Sequence, residues 1–271
     1  MDSFITLQGG ADPNVFGVTI APSLSVGPEG SRYMFGGVGL AAAVSAAERV
    51  SGRPAIWATA QYLRPMPSGS TLDLEVRSST EGRHTSQLQI IGRHKNQEVI
   101  SVVAATGARD AGKRGQWLEM PSVMAPSVCP DTKHWRGDDS GLHGQIHVKV
   151  AQGRYSSDRE GRPAADGRMI VWVKPRSPVA TDAALLALLA DLAPNGVGNA
   201  LGANAGGNSL DNTLRVLGVV PTEWVLVDVQ ICGIERGFAH AEVHLFAESG
   251  DLMAVGSQSL ILRIRPHSSS D

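Results

Sequence analysis

Cysteine is nearly absent: only Cys129 and Cys232 occur in 271 residues. Two thiols set no framework of bridges, so packing must hold the fold. Aromatic residues are few, at 5%. With 31 glycines and abundant alanine, this fits either close packing of helix on sheet or a compositional bias. Charge of one sign is also lacking. The 24 basic and 26 acidic residues leave a net charge of −2, too weak a field to argue for nucleic acid or an anionic membrane as partner. No long hydrophobic run is present. The most apolar helical stretch, Ala183 to Leu192, is shorter than the roughly 20 residues a membrane span needs, so no membrane insertion is expected. The start Met1-Asp2-Ser3-Phe4 lacks the basic region and apolar run of a secretory signal. A reducing cytoplasm is the expected location.

What is present is enough chain for two domains of about 100–150 residues each. Phe35 to Val50 reads as a helix, with Leu40, Ala41, Val44, Ala47 and Val50 at helical spacing and Ser51-Gly52 as its stop. A second helix is predicted from about Thr181 to Leu192, capped by Thr181 or Asp182. Strands follow each helix. Leu72, Leu74 and Val76 alternate with polar residues, and His84–Arg93 and Val99–Thr106 are joined by a turn at 93–97. In the second half, Val225–Ile231 and Ala239–Leu245 alternate, and a turn at Glu248–Asp251 leads to a last strand, about Leu252–Ile264.

The order of one helix and then several strands thus occurs twice. Leu63-Arg64 matches Leu214-Arg215, an offset of 214 − 63 = 151, and Glu98 matches Leu252, an offset of 252 − 98 = 154. Each half reads as an α+β domain, a curved antiparallel sheet around one long helix, and two copies side by side make one pseudo-symmetric continuous sheet. The expected division is 1–110, a connector over 111–140, 141–265, and a disordered serine-rich tail over 266–271. The connector is proline-rich and aperiodic. A polar stretch, Gln152 to Asp166, reads as a surface loop. The run Gly196 to Gly207 lacks the Lys-Ser or Lys-Thr ending of a phosphate loop and reads as a close pass of the chain over a site.

Several of these segments resemble the acyl-CoA thioesterase II family, a double hot-dog. They are Phe35-Gly36-Gly37 and the helix to Glu48, Tyr62-Leu63-Arg64-Pro65, the connector piece Met120-Pro121-Ser122, Ser209-Leu210-Asp211-Asn212 followed by Glu223-Trp224, and Gly256-Ser257-Gln258 through Arg263. The resemblance spans about residues 30 to 264. It implies two fused hot-dog domains, hydrolysis of an acyl-CoA thioester, no cofactor or metal, and a homodimer. The family's aspartate, hydroxyl residue and glutamine fall by resemblance on Asp211, Cys232 and Gln258. Cysteine at the hydroxyl position is a departure. So is Val38, where the family commonly has glutamine after the two glycines.

The residues suit the reaction. Hydrolysis needs an oriented water, a base for its proton, and donors for the developing oxyanion. Asp211 serves as base or water-orienting group, and Gln258 offers both donor and acceptor. The amides where Gly36-Gly37 enter the helix face the oxyanion, aided by the helix dipole; a tight turn is the bland alternative. At offsets of 151 and 154 the first half has Ala60 and Ala104 opposite Asp211 and Gln258, so one of two pseudo-symmetric sites keeps the chemistry. His240-Ala241-Glu242-Val243-His244 lies on a strand, not the helix that a metal pair of this spacing requires. A non-catalytic acyl-CoA or acyl-carrier binder is the alternative reading. A hot-dog hydratase or dehydratase is disfavoured, because no His accompanies Asp211 or Gly36-Gly37.

Overall fold

A helix that is apolar on nearly every side must be enclosed, and that requirement organises the first half. The computed structural model describes residues 2–110, 112–132, 139–155 and 161–265; the expected tail, 266–271, lies outside the described residues. Short strands β1 (Gln8–Gly9), β2 (Val15–Thr19), β3 (Ser25–Val26) and β4 (Tyr33–Met34) precede helix α1 (Gly36–Ser51). Helix α1 buries every residue from Gly37 through Ala47 except Ser45 and ends on Gly52, whose φ of 65° is the left-handed cap that glycine supplies without strain. Strands β5 (Ala55–Tyr62), β6 (Thr71–Glu81), β7 (Thr85–His94) and β8 (Gln97–Gly107) wrap it. The β7–β8 turn is tighter than expected. The strands run through His94 and Gln97, and Lys95 and Asn96 take positive φ in a two-residue turn.

The second half repeats the plan with β9 (Ile146–Gln152), β10 (Arg168–Pro175), α2 (Ala183–Ala190), α3 (Pro194–Leu201), β11 (Ala205–Ser209), β12 (Asp211–Val216), β13 (Val225–Glu235), β14 (Phe238–Ala247) and β15 (Leu252–Ile264). The glycine-rich run, expected to pass closely over a site, forms helix α3, a turn and the start of strand β11. A β-carbon on Gly196 would lie 2.9 Å from Val229 Cγ1, so glycine lets this helix press onto the sheet. All eight residues of α2 are buried. The stretch Ala183–Leu201 is long and apolar enough to cross a membrane by length and composition, and 83% of its apolar window is packed inside the fold.

The main sheet runs β1-β2-β6-β7-β8-β5-β12-β15-β14-β13-β10-β9, with β11 extending the partner edge of β15. From β2 to β10 this order reads the same from either end, as two fused copies require. The copies meet where β5 pairs antiparallel with β12, and at the centre Thr59 and Thr213 oppose each other, their hydroxyls 3.0 Å apart. This pair sets the true offset at 154. Thr59 also pairs with Val103, and Thr213 with Ser257, so Gln258 keeps Ala104 as its counterpart. Asp211, two residues before Thr213, corresponds to Trp57 rather than Ala60, because the offset of 151 does not hold across this strand pair.

Part of the connector is an ordered strap. Met120, Val123 and Cys129 pack with Trp172, Trp224, Leu226 and Phe246 of the second half of the sheet. Trp172 Nε1 donates to Met124 O (2.9 Å), and Gln116 bonds Leu252 N and Gly250 O.

Candidate active site

Helices α1 and α2 pack so that the start of one meets the end of the other. Asp182 begins α2 by accepting from Leu185 N at 2.7 Å, and lies near enough to Glu48, at the far end of α1, to raise its pKa further after burial. At the opposite pole, α2 ends on Asp191, which faces the first turn of α1. A β-carbon on Gly37 would lie 2.6 Å from Leu188 O and 2.9 Å from Asp191 Cβ; one on Gly36 would lie 2.7 Å from Asp191 Oδ2. Glycine at both positions is what allows the contact.

Asp191 is 2% exposed and its carboxylate is held from both domains. Gly37 N donates to Oδ2 at 2.6 Å, Ser209 Oγ donates to Oδ1 at 3.1 Å, and Gln258 Nε2 also donates to Oδ1. Gln258 Nε2 bonds Ser209 Oγ at 2.7 Å as well, closing a triangle. Burial pushes Asp191 up to about 6; the hydrogen bonds from Gln258, Gly37 and Ser209, and the nearby Asn212 amide, oppose that rise. A carboxylate titrating there is suited to general base work near neutral pH. Tyr62, at the end of β5, borders the same space: its Cε1 and Cζ lie 3.2 Å from where a Gly36 β-carbon would be.

Of the residues singled out from sequence, Gln258, Gly36 and Gly37 converge here. Gly37's amide, expected to face an oxyanion, is engaged by Asp191. Val38 is wholly buried, and its amide donates to Phe35 O at 3.0 Å. Asp211 lies close enough to raise the Tyr62 pKa but is not a hydrogen-bond partner of Asp191. Leu210 interrupts the strand between β11 and β12, and Asp211 Oδ1 accepts from Ser259 N at 2.9 Å, stapling that irregularity to β15. The inward positions around it belong to Ser209 and Asn212. Cys232 is exposed on β13, its Sγ 3.7 Å from Gln230 O. Two strand spacings separate it from Gln258, since Ile231 pairs with Ala241 and Ala241 with Gln258. Burial, then Glu242, raises its pKa, the wrong direction for a thiolate. His240 and Glu242 are solvent-facing.

Asp191, Ser209, Asn212 and Tyr62 were not assigned roles from sequence. One signal for Asp191 was available: a carboxylate closing the run Ala-Ala-Leu-Leu-Ala-Leu-Leu-Ala has no solvent face, and buried carboxylates need partners. Two modest effects follow. Asp211→Ala should cost about 1 kcal/mol of stability, by urea denaturation, through loss of one hydrogen bond. Cys232→Ser should leave both stability and any turnover at the wild-type level.

The comparisons with known proteins agree with this architecture. Residues 27–108 match the acyl-CoA thioesterase N-terminal domain model and residues 124–262 the acyl-CoA thioesterase C-terminal domain model. A candidate thioesterase from Novosphingobium aromaticivorans DSM 12444 is 34% identical over 96% of this chain and 100% of its own, with a TM-score of 0.86. A hot-dog protein of unknown function from Alicyclobacillus acidocaldarius (18%, covering 96% and 97%, TM-score 0.83) and an acyl-CoA thioesterase II from Mycobacterium marinum (18%, 96% of each chain, TM-score 0.73) share the fold. No curated protein matches the chain.

Proposed function

Because the chain belongs to the acyl-CoA thioesterase family, a family of thioester hydrolases, we propose that it hydrolyses acyl-CoA at Asp191, with Gln258 and Ser209 as its immediate partners. The observation that carries this reading is a buried carboxylate, raised to about 6, gripped by donors from both domains. In the forward step, water oxygen attacks the thioester carbonyl carbon while Asp191 takes a water proton. Gln258 Oε1, a buried acceptor with no hydrogen-bond partner among the described residues, accepts the water's second hydrogen and fixes its direction. Collapse of the tetrahedral intermediate breaks the C–S bond, and Asp191 returns the proton to sulfur. The products are a carboxylic acid and coenzyme A.

The rest of the substrate is assigned to a nearby groove. A groove of about 620 Å³ is lined by Arg32, Tyr33, Pro65 and Pro67 among others. Along the chain these walls lie a few residues from the site: Tyr33 precedes Gly36, and Pro65 follows Tyr62. Arg32 suits the coenzyme's phosphates. Arg32→Ala should raise KM about tenfold with little change in kcat.

Thiol release from a panel of acyl-CoAs of different chain length tests the main reading. Turnover that rises with pH through about 6 supports it. Saturable binding without release on any chain length would instead identify an acyl-CoA binder.

A further inference from the structure

Three buried polar atoms around Asp191 have no hydrogen-bond partner among the described residues: the Tyr62 hydroxyl, Asn212 Nδ2 and Gln258 Oε1. Native interiors rarely leave such atoms unmatched, so each calls for a reason. Gln258 Oε1 is an acceptor and suits water. The other two can donate, and a negatively charged oxygen is what two neighbouring donors suit. The usual candidate for that task, the first-turn amide of α1, is already committed: Gly37 N donates to Asp191 at 2.6 Å.

We propose that Tyr62 and Asn212 donate the hydrogen bonds that hold the thioester carbonyl oxygen as it becomes an oxyanion. This rests on the acyl-CoA hydrolysis assigned above. The two side chains come from adjacent strands across the junction of the halves. Tyr62 N donates to Leu210 O at 2.9 Å, and Asn212 pairs with Ala60. Asn212 is 1% exposed and close enough to act on the titration of both Tyr62 and Asp191. Burial first, and Asp191 second, keep the Tyr62 phenol well above its ordinary pKa, so it remains an O–H donor at every working pH. As water attacks, the C=O electron pair moves onto oxygen, and the proton goes to Asp191. Tyr62 and Asn212 keep their own protons and strengthen their bonds as charge develops. When the C–S bond breaks, the carbonyl re-forms and the two bonds weaken again. One donor comes from each half, so a single hot-dog domain cannot build this arrangement.

Tyr62→Phe is the discriminating variant, because it removes one oxygen that has no partner among the described residues and leaves the ring. With purified full-length protein, kcat for an acyl-CoA should fall about 10²-fold, the loss typical of removing one oxyanion donor, with KM within about threefold of wild type. Thermal stability should be unchanged or higher, since an unmatched buried hydroxyl is removed. A trifluoromethyl-ketone analogue of acyl-CoA, whose hydrate carries the oxyanion, should bind Tyr62→Phe more weakly by a similar factor. An S-alkyl-CoA thioether, which lacks that oxygen, should bind both proteins alike. Asn212→Ala should show the same split between the two analogues. Wild-type kcat in Tyr62→Phe, or equal weakening of both analogues, overturns the assignment while hydrolysis at Asp191 stands. Wild-type protein that releases no thiol from any acyl-CoA overturns the hydrolysis reading, and this assignment with it.

Discussion

Asp191→Asn should lower kcat for acyl-CoA hydrolysis by about 10²- to 10⁴-fold, the range expected for loss of a general base, and should at the same time stabilise the protein at neutral and alkaline pH. The two effects have one cause. Burial raises Asp191 from 3.8 to about 6. A carboxyl with a raised folded-state pKa favours the fold while it is protonated in both states. That contribution is complete below about 3.8 and is lost as pH climbs through about 6. Above that window the charged carboxylate costs about 3 kcal/mol relative to a neutral group, at 1.36 kcal/mol per pKa unit. Asparagine is neutral throughout. Its Oδ1 can still accept from Gly37 N. Its Nδ2 would oppose Gln258 Nε2, so Gln258 must turn its amide over, presenting the Oε1 that now has no partner among the described residues. The variant should therefore melt higher than wild type at pH 8 and close to it at pH 4, by thermal unfolding across that range. Turnover retained within a fewfold of wild type would remove Asp191 from the chemistry, whatever its effect on stability.

The second large effect is structural. Gly37→Ala places a β-carbon 2.6 Å from Leu188 O, 2.8 Å from Phe35 Cε1 and 2.9 Å from Asp191 Cβ. A backbone carbonyl cannot rotate away, so α1 and α2 must separate. Overpacking of this kind costs about 3 kcal/mol. The displacement also lengthens the Gly37–Asp191 bond, so hydrolysis should fall along with stability. Gly52→Ala is the useful contrast. Its β-carbon meets open space, but φ is 65°, so only local left-handed strain is added, about 1 kcal/mol. Urea midpoints of the two variants should therefore differ clearly. Equal midpoints would show that the helices are not in the contact described.

Much of the fold was legible because it is written in short-range periodicity. The apolar stripe of α1 and its glycine stop, the alternation along β13 and β14, and the last strand from Leu252 to Ile264 each emerge from residues near one another in the chain. The glycine-rich run was read as a close pass of the chain, but not as helix and strand. Here its use is close approach of α3 to Val229, a tertiary reason with no local signature.

The site divides the same way. Gln258 and the glycine pair were legible from motif and parity. The segment Ser209–Asn212 was legible as a segment, but not as side-chain directions. The irregularity at Leu210 turns Ser209 and Asn212 inward and sends Asp211 to Ser259. One residue of slip in a strand exchanges the two faces, and nothing local announces it. By itself, then, the sequence determined the duplicated α+β plan, its resemblance to the thioesterases, and Gln258 and the glycine pair of the site. Only the tertiary structure decided which carboxylate is buried at the junction. Asp191 and Gly37 are 154 residues apart, and a partnership at that distance exists only once two helices from different halves have closed upon each other.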